Sequence, residues 1–475
     1  MPFIATQWIE QARLAARALV EFGGGLWQPA VRLGVTGLSR AGKTVFITAL
    51  VHGLLRSGRF PVFEAMANGR IAGARLEPQP DDAVPRFDYE AHVRALVEER
   101  RWPESTRQIS ELRLVIDYQS RTGATRALTL DIVDYPGEWL LDLPLLTMSY
   151  EAWAAESMRL SRHGARGQLA AAWHAQLATL DPQGPADEQA AINAAKLFTD
   201  YLKSCRDERY ALSLLPPGRF LMPGDLEGSP ALTFAPLDLP DSHLPPEDSL
   251  WAMMRRRFEA YKDVVVRPFF REHFARLDRQ IVLVDALAAM NAGPDAVRDL
   301  ERALAAILQC FRLGRRTFLT AMFQPRVDRI LFAATKADHL HHASHDRLEA
   351  ILRRMAERAG AQAALAGAEV DVIALAAVRA TREAQVRAGR ETLPSILGVP
   401  APGESDGKQV FDGDTEAAVF PGDLPAQPGG LFEPNALPAA LRFLRFRPPP
   451  LEMGGVLPHI RLDRALQFLL GDRLQ

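Results

Sequence analysis

The chain has 475 residues, a formal net charge of −2 at pH 7 and 48% hydrophobic residues. A chain of this length exceeds what one hydrophobic core usually supports, so we expect two or three structural units. The near-neutral charge excludes a general affinity for nucleic acid. Two cysteines, Cys205 and Cys310, are too few for a disulfide framework and favour a reducing cytoplasm as the compartment.

The first segment, residues 1–29, is predicted to hold one helix at residues 5–22. It lacks the pattern of a signal peptide, and no apolar run in the chain is long enough to span a membrane. The helix has one apolar face with Arg13 and Arg17 nearby. Two interpretations follow, namely packing on the protein's own core and peripheral contact with the inner membrane.

A phosphate-binding motif follows the strand predicted at residues 31–36. The sequence GLSRAGKT, residues 37–44, has the spacing G-x-x-x-x-G-K-S/T, and helical apolar spacing continues to residue 55. The glycines allow a tight loop whose amides form an anion-binding nest at a helix N-terminus. Lys43 is expected to bridge the β- and γ-phosphate oxygens, and the Thr44 hydroxyl to bind Mg²⁺.

Two further strands are predicted at residues 111–118 and 127–133, and the second ends in the sequence DYPG. Asp134 is placed to order the magnesium shell, and the amide of Gly137 is placed to approach a γ-phosphate. A surface turn is the alternative for the D-x-x-G pattern taken alone.

The sequence TKAD, residues 335–338, directly follows the strand predicted at residues 329–334 and matches the N/T-K-x-D element of GTPases. Asp338 would accept hydrogen bonds from guanine, the stem of Lys336 would cover the base, and His339 would lie at the base or ribose edge. The loop after the next predicted strand, at residues 370–375, is expected to offer backbone amides to the guanine O6, from Ala376, Ala377 and Val378.

Histidines near this element leave a metal site as an alternative. His341 and His345 are spaced to share one face at a helix start. Mg²⁺ prefers oxygen ligands, and no carboxylate and cysteine set in the sequence completes a zinc site, so this alternative is disfavoured.

Pattern and composition divide the rest of the chain into segments. A further strand is predicted at residues 280–284, and the alternation of strands and helices indicates a largely parallel sheet. The first part of the nucleotide-binding domain is predicted at 30–149, with an insertion at 57–104, and its second part at 276–400. A helical insertion at 150–275 separates the two parts. A C-terminal extension is predicted at 401–475, with hairpin-like pieces at 408–420 and 440–447 and a final helix near 461–470.

The motifs in this order resemble those of Ras-type and translation-factor GTPases. Longer phrases resemble the YcjX-like family of stress-associated bacterial P-loop GTPases, from about residue 30 to the C-terminus: GVTGLSRAGKT, RWPESTRQISELRL, DIVDYPGEWLLDLPLL, ATKADH and LPHIRLDRALQFLLGD. The resemblance implies an α/β P-loop NTPase fold, a G domain with a largely parallel sheet, large helical insertions and a C-terminal extension. It also implies binding of GTP and GDP with Mg²⁺. Insertions beside such a site are where partners usually dock, so we expect an unidentified protein partner there.

The resemblance further implies that residues 102–107 form switch I. Thr106 stands just before a predicted strand, where a switch threonine completes the magnesium coordination. Trp102 either packs against the nucleotide from the side or belongs to the core. The nucleotide-binding candidates are therefore Gly37, Ser39, Arg40, Ala41, Gly42, Lys43, Thr44, Val45, Trp102, Ser105, Thr106, Arg107, Lys336, Asp338, His339, Ala376, Ala377 and Val378. The metal candidates are Thr44, Thr106 and Asp134, and the catalytic candidates are Lys43, Thr106, Gly137 and Glu138.

One departure from Ras-type enzymes concerns the residue after the D-x-x-G glycine, where Glu138 replaces the water-orienting glutamine. Glu138 either acts as a base or turns towards Arg or Trp neighbours. An arginine in cis is expected from Arg100, Arg101 or Arg107. We therefore expect slow GTP hydrolysis, about 10⁻⁴ to 10⁻² s⁻¹, in a nucleotide-dependent switch. The alternative is a scaffold that barely hydrolyses GTP and assembles with a membrane or stress-response partner.

Overall fold

The computed structural model describes residues 29–38, 40–104, 108–238, 245–309, 327–365, 367–388, 390–432 and 441–475. The predicted N-terminal helix, Ser39, residues 105–107 and Cys310 therefore lie outside the described residues. None of the helices in the described ranges is long and apolar enough to cross a membrane.

A seven-stranded sheet in the order β2-β3-β4-β1-β5-β6-β7 forms the centre of the fold. Its strands are β1 (Ala30–Gly37), β2 (Ile71–Glu77), β3 (Ser110–Gln119), β4 (Thr125–Asp134), β5 (Arg279–Val284), β6 (Arg329–Ala334) and β7 (Glu369–Ala374). The run from β4 to β7 is parallel, whereas β2 and β3 pair antiparallel at one edge. This confirms the predicted α/β class with a largely parallel sheet.

Edge strand β2 was not predicted. It pairs with β3 alone, and each of its residues is at least partly exposed. Because the strand buries neither face fully, its sequence IAGARLE has no apolar run that distinguishes it from a loop.

Helices cover the sheet. Their bounds are α1 (Lys43–Leu55), α2 (Glu64–Ala67), α3 (Tyr89–Val97), α4 (Tyr150–Ser161), α5 (Gly164–Leu169), α6 (Ala171–Leu177), α7 (Glu188–Arg206), α8 (Gly218–Leu221), α9 (Leu250–Tyr261), α10 (Arg267–Glu272), α11 (Ala286–Ala292), α12 (Pro294–Gln309), α13 (His345–Leu365) and α14 (Leu462–Leu470). A π-helical turn at Lys262–Val266 joins α9 to α10, and the longest 3₁₀ segment is Gly137–Thr147.

The two faces of the sheet belong to different hydrophobic clusters, as the alternation along β5 shows. Ile281 and Leu283 lie in the cluster with α1 and α14, whereas Val282 and Val284 lie in the cluster that contains the helices of residues 150–272. Because β5 is buried on both faces, it reads as a continuous apolar run, which is why the sequence predicted it.

Aromatic side chains form the centre of the helical segment. Trp153, Trp173 and Trp251 are each 1% exposed. Trp153 stacks on Phe258 with ring centroids 5.0 Å apart. The helices of this segment therefore have a packed aromatic core.

A three-stranded antiparallel sheet follows β7, with β8 (Arg382–Ala388), β9 (Glu391–Gly398) and β10 (Ala417–Val419) in the order β10-β9-β8. The hairpin expected at residues 408–420 is therefore only partly right. Residues 403–411 form a short antiparallel turn, but β10 pairs with β9, which precedes it by about twenty residues. The piece expected at 440–447 contributes one bridge, between Pro400 and Phe446.

A buried ion pair joins the helical segment to helix α12. Arg166 of α5 and Asp299 of α12 are 2.7 Å apart, and their side chains are 8% and 5% exposed. Asp299 also accepts hydrogen bonds from the amides of Ser213 and Leu214, at 2.6 and 2.8 Å. The chain that follows α7 is thus held against α12.

Replacing Asp299 with alanine should lower the free energy of unfolding by about 3 to 5 kcal/mol, because it leaves the Arg166 charge buried without this partner. Asp295 of the same helix pairs with Arg298 and is 57% exposed, so Asp295→Ala is the matched control. That control should cost at most about 1 kcal/mol. Equal costs in denaturant unfolding would show that the buried pair does not fix this junction.

Candidate nucleotide-binding site

The phosphate loop connects the end of β1 to the start of α1. Gly42 has φ +81°, a backbone conformation that favours glycine. A Cβ at this position would meet no neighbouring group within 4 Å, so the backbone conformation, and not lack of space, accounts for the glycine. No described side chain caps α1, and its first turn carries no acidic residue. The amides of this helix start are therefore available to an anion.

Lys43 and Thr44 begin α1. The Lys43 ammonium donates to the Gly37 carbonyl oxygen at 3.3 Å, so its stem lies back over the loop. The Thr44 hydroxyl donates to the carbonyl oxygen of Glu104 at 3.2 Å. The segment that leads into the proposed switch I thereby lies against one of the proposed magnesium ligands.

The DYPG segment lies directly against the phosphate loop. Asp134 ends β4 opposite Val35 of β1, and its carboxylate is almost fully buried. A Cβ placed on Gly137 would stand 1.9 Å from the carbonyl oxygen of Gly37. Only glycine allows the two backbones to approach this closely.

The oxygen groups at this edge suit Mg²⁺ bound together with a phosphate. The Thr44 hydroxyl and the Asp134 carboxylate are hard ligands of the kind this ion takes. Thr106, the third candidate, lies outside the described residues. The glycine loop, the uncapped helix start and these two ligands therefore fit a magnesium–nucleotide complex.

The TKAD sequence, predicted to recognise the base, follows β6. The Asp338 carboxylate is 4% exposed and accepts a hydrogen bond from the amide of Ala380 at 2.8 Å. Lys336 has φ +60°, and its ammonium pairs with Asp285. Asp285 was missed from sequence, although an acidic residue directly after an apolar strand was the available signal.

The small-residue loop after β7 is held by the C-terminal extension. The backbones of Ala376 and Ile460 exchange two hydrogen bonds, at 3.1 and 2.8 Å, and Arg379 donates its amide to Pro458. Ala376 and Val378 are buried, and Ala377 is partly exposed. The extension therefore positions the loop that was predicted to face the guanine O6.

His339 and Trp102 meet the same residue of the extension. The His339 ring lies edge-on to Phe446, with centroids 5.3 Å apart, and burial lowers the pKa of this histidine. The Trp102 indole donates to the Phe446 carbonyl oxygen at 2.6 Å. In this conformation Trp102 packs on the extension. Phe446 is a connection that no motif in the sequence revealed.

The remaining candidates in the loop have different surroundings. Ala41 is buried in the core, and Val45 packs beside it. The Arg40 guanidinium extends away from the loop and pairs with Glu208 at 2.7 Å. Ser39, Ser105, Thr106 and Arg107 lie outside the described residues. The loop, DYPG, TKAD and small-residue candidates stand at the carboxyl ends of β1, β4, β6 and β7, whereas Trp102 packs on the extension.

A cavity of about 200 Å³ lies beside the loop. Four cationic side chains line it, from Arg40, Arg206, Lys336 and Arg445. Three carboxylates share the lining, from Glu208, Asp285 and Glu404. Arg206 belongs to the last turn of α7, so the helical segment reaches this cavity.

The histidine cluster is arranged differently from the expectation. His345 begins α13 and its Nε2 lies 3.3 Å from the Leu340 carbonyl oxygen, so it does not pair with His341. His341, His342 and Glu383 of β8 bring three ligand atoms within 4.8 Å of one another. Glu383 supplies a carboxylate that sequence spacing did not reveal.

Glu138 turns towards an arginine. Its side chain is 9% exposed, and its Oε1 lies 3.5 Å from Nη1 of Arg206. Of the arginines expected in cis, Arg100 donates to the Pro448 carbonyl oxygen and Arg101 pairs with Glu99, while Arg107 lies outside the described residues. Arg206 was missed because it is distant from every motif in the sequence.

The segment after Gly137 is tied to the helical insertion by Asp142. This buried carboxylate accepts hydrogen bonds from the amides of Gly218 and Arg219, at 2.7 and 3.3 Å, and from the Tyr261 hydroxyl at 2.7 Å. The Arg219 guanidinium lies 3.2 Å from the centre of the Trp139 ring. Burial outweighs these hydrogen bonds and raises the pKa of Asp142 to about 6.

The sheet order, the glycine loop after β1 and the strand-end elements that surround it define an α/β fold of the Ras-like P-loop class. The sequence model of the YcjX-like family, DUF463, matches residues 31–474. The chain therefore belongs to the YcjX-like family.

Two relatives carry the name Ras-like GTPase YcjX. The protein of Escherichia coli (strain K12) is 39% identical over 464 residues, which cover 94% of this chain and 96% of the relative. The protein of Shewanella oneidensis is 35% identical over 476 residues, which cover 94% and 95%. The similarity thus extends over the insertions as well as the motifs.

The raised pKa of Asp142 predicts a pH-dependent stability. Because the folded protein holds this proton more tightly than the unfolded chain, the contribution is full below about pH 3.8 and is lost as the pH rises through about 6. Relative to Asp142→Asn, the wild type should therefore lose about 3 kcal/mol of stability across this window. Unfolding of both proteins between pH 4 and 7 measures the difference, and a constant difference would contradict the assigned pKa.

Proposed function

We propose that this protein binds GTP and GDP with Mg²⁺ and hydrolyses GTP slowly, as a nucleotide-dependent switch. The observation that carries the proposal is the position of three elements at the carboxyl ends of parallel strands, on one edge of the sheet. The uncapped glycine loop follows β1, Asp134 and Gly137 follow β4, and the base element with Asp338 follows β6. The relatives' name, Ras-like GTPase, supports the same activity.

The phosphate side of the proposal assigns charge stabilisation to the loop. The amides at the start of α1 and the Lys43 ammonium would hold the β- and γ-phosphate oxygens. The contact of Lys43 with Gly37 keeps the ammonium over the loop in advance, which reduces the reorganisation needed on binding.

Thr44, Asp134 and Thr106 would hold Mg²⁺, which neutralises the charge that develops on the phosphates. The contact between Thr44 and the carbonyl of Glu104 supports a link between this ligand and switch I. The amide of Gly137 would meet the γ-phosphate. Because Gly137 has no room to move towards Gly37, a triphosphate would set the position of the DYPG segment.

Base selectivity would come from Asp338. The hydrogen bond from Ala380 to one oxygen fixes the carboxylate plane, so the other oxygen is oriented for a ligand donor. Guanine presents two N–H donors to such a carboxylate, and adenine does not. The ion pair between Asp285 and Lys336 would hold the lysine stem against the base.

The helical insertion would report the nucleotide state. The DYPG segment continues into Gly137–Thr147, which Asp142 ties to Gly218 and Tyr261. A shift of Gly137 with the γ-phosphate would thus be passed to α8 and α9. A protein partner on the insertion, or a membrane contact through residues 1–28, would read that shift.

Asp338→Asn tests the assignment of the base. The new amide places a donor where guanine also has donors, whereas xanthine has an oxygen at that ring position. The variant should bind GDP at least ~100-fold more weakly, a loss of about 2.8 kcal/mol. It should also gain affinity for xanthosine diphosphate, and a titration of both diphosphates measures the change.

Lys43→Ala is the matched control, because it should weaken both diphosphates without changing their order. An Asp338→Asn variant that keeps its GDP affinity and ignores xanthosine diphosphate would contradict base reading by Asp338. Multiple-turnover phosphate release by the wild type then separates a slow GTPase from a scaffold that does not hydrolyse GTP.

A further inference from the structure

We propose that Arg206, at the end of α7 in the helical insertion, is the arginine in cis that stabilises the transition state of GTP hydrolysis, and that Glu138 holds it aside until a triphosphate binds. This inference rests on the proposed function. Its basis is the ion pair between Arg206 and Glu138 beside the phosphate loop.

The position of Glu138 places Arg206 next to the γ-phosphate site. Glu138 is bonded to Gly137, and the backbone of Gly137 touches that of Gly37 in the loop. Consecutive Cα atoms are about 3.8 Å apart, so the carboxylate that contacts Arg206 starts one residue from the expected γ-phosphate contact. The proposed change of partner, from Glu138 to a phosphate oxygen, would take place by rotation of the long arginine side chain.

The end of α7 is anchored to the loop by a second contact. Glu208, two residues after Arg206, pairs with Arg40 of the loop at 2.7 Å and with Arg445 at 3.5 Å. Asp299 holds the following amides of Ser213 and Leu214. The chain that follows Arg206 is therefore anchored at two points, and the proposal requires only the arginine side chain to move.

Two arginines at the cavity repel each other, although the carboxylates of Glu208, Asp285 and Glu404 also line it. Arg40 and Arg206 line the same cavity, and burial together with repulsion from Arg206 lowers the pKa of Arg40. Two guanidinium groups that repel each other would both gain from a phosphate group. Arg40 is committed to Glu208 at 2.7 Å, whereas Arg206 is 3.5 Å from its carboxylate partner and is the less tightly held.

The step itself needs only charge stabilisation. The oxygen of a water molecule bonds to the γ-phosphorus, and the bond from that phosphorus to the β–γ bridging oxygen breaks. The bonding electrons stay on the β-phosphate of GDP, and the protons of the water pass to inorganic phosphate and solvent. Arg206 would bind the oxygens on which negative charge builds up, as an arginine finger does.

Glu138 is then a positioning residue. Its carboxylate would be repelled by a bound γ-phosphate, which weakens its hold on Arg206 at the moment when the arginine is needed. Without a triphosphate, the pair keeps the guanidinium away from the loop. The pairing with Arg206 explains why a carboxylate is tolerated at position 138, next to the expected γ-phosphate.

The test compares Arg206→Ala and Arg206→Lys with Lys203→Ala, an exposed position in the same last turn of α7. Both Arg206 variants should slow single-turnover GTP hydrolysis at least ~30-fold, since lysine cannot reproduce the planar fork. Their GDP affinity should stay within about threefold of wild type, because the arginine acts on transition-state charge. Lys203→Ala should match the wild type in both measurements.

Fluoroaluminate gives a readout without turnover. The wild type with GDP should form a GDP–fluoroaluminate complex that slows GDP release, and the Arg206 variants should not. Glu138→Ala frees the arginine, so in the otherwise wild-type protein this complex should form at a lower fluoroaluminate concentration. In the Arg206→Ala background the same substitution should have no effect, because Glu138 acts through Arg206.

The outcomes separate the inference from the function on which it rests. A wild type that neither binds nor hydrolyses GTP overturns the proposed function. A wild type that hydrolyses GTP while Arg206→Ala keeps its rate and its fluoroaluminate complex overturns only the role of Arg206. Loss of GDP affinity in both Arg206 variants would make the residue structural and would also overturn that role.

Discussion

The contact between the backbones of Gly37 and Gly137 is the constraint on which the site depends. A methyl group at Gly137 would overlap the Gly37 carbonyl, so the two segments have no side chain between them. The same close approach of two backbones occurs between the DYPG segment and the helical insertion, where a Cβ on Gly218 would stand 1.9 Å from the carbonyl oxygen of Glu138. Phosphate loop, DYPG segment and helical insertion are therefore stacked backbone on backbone. A displacement of one of these layers must be taken up by the next.

This stacking gives the insertion and the C-terminal extension separate tasks. The insertion contacts the phosphate side through Arg206, Glu208 and the hydrogen bonds to Asp142. The extension contacts the base side, where Ile460 pairs with the small-residue loop and Phe446 meets His339 and Trp102. The two added segments also meet each other, because Arg445 of the extension pairs with Glu208 of the insertion at 3.5 Å and both line the cavity beside the loop.

Much of the fold could be predicted because buried parallel strands and the P-loop have local sequence patterns. The six strands β1 and β3 to β7 were confirmed, as was membership in the YcjX-like family. Strand β2 and the β8–β9 hairpin were missed because their residues are partly exposed and charged, as in REAQVRA at Arg382–Ala388. Arg206 and Asp285 were missed for another reason, since contacts between residues far apart in sequence leave no periodicity. The proposed roles of the motif residues stay predictions.

Competition between GDP and ADP for the wild-type protein in the presence of Mg²⁺ tests the central claim most directly. A fluorescent GDP analogue bound to the protein should be displaced by unlabelled GDP, while ADP at ~100-fold higher concentration should leave it bound. This result corresponds to a preference for GDP over ADP of at least about 2.8 kcal/mol in binding free energy. Displacement by ADP and GDP at equal concentrations would show that the element around Asp338 does not read guanine, and it would contradict the account of this site.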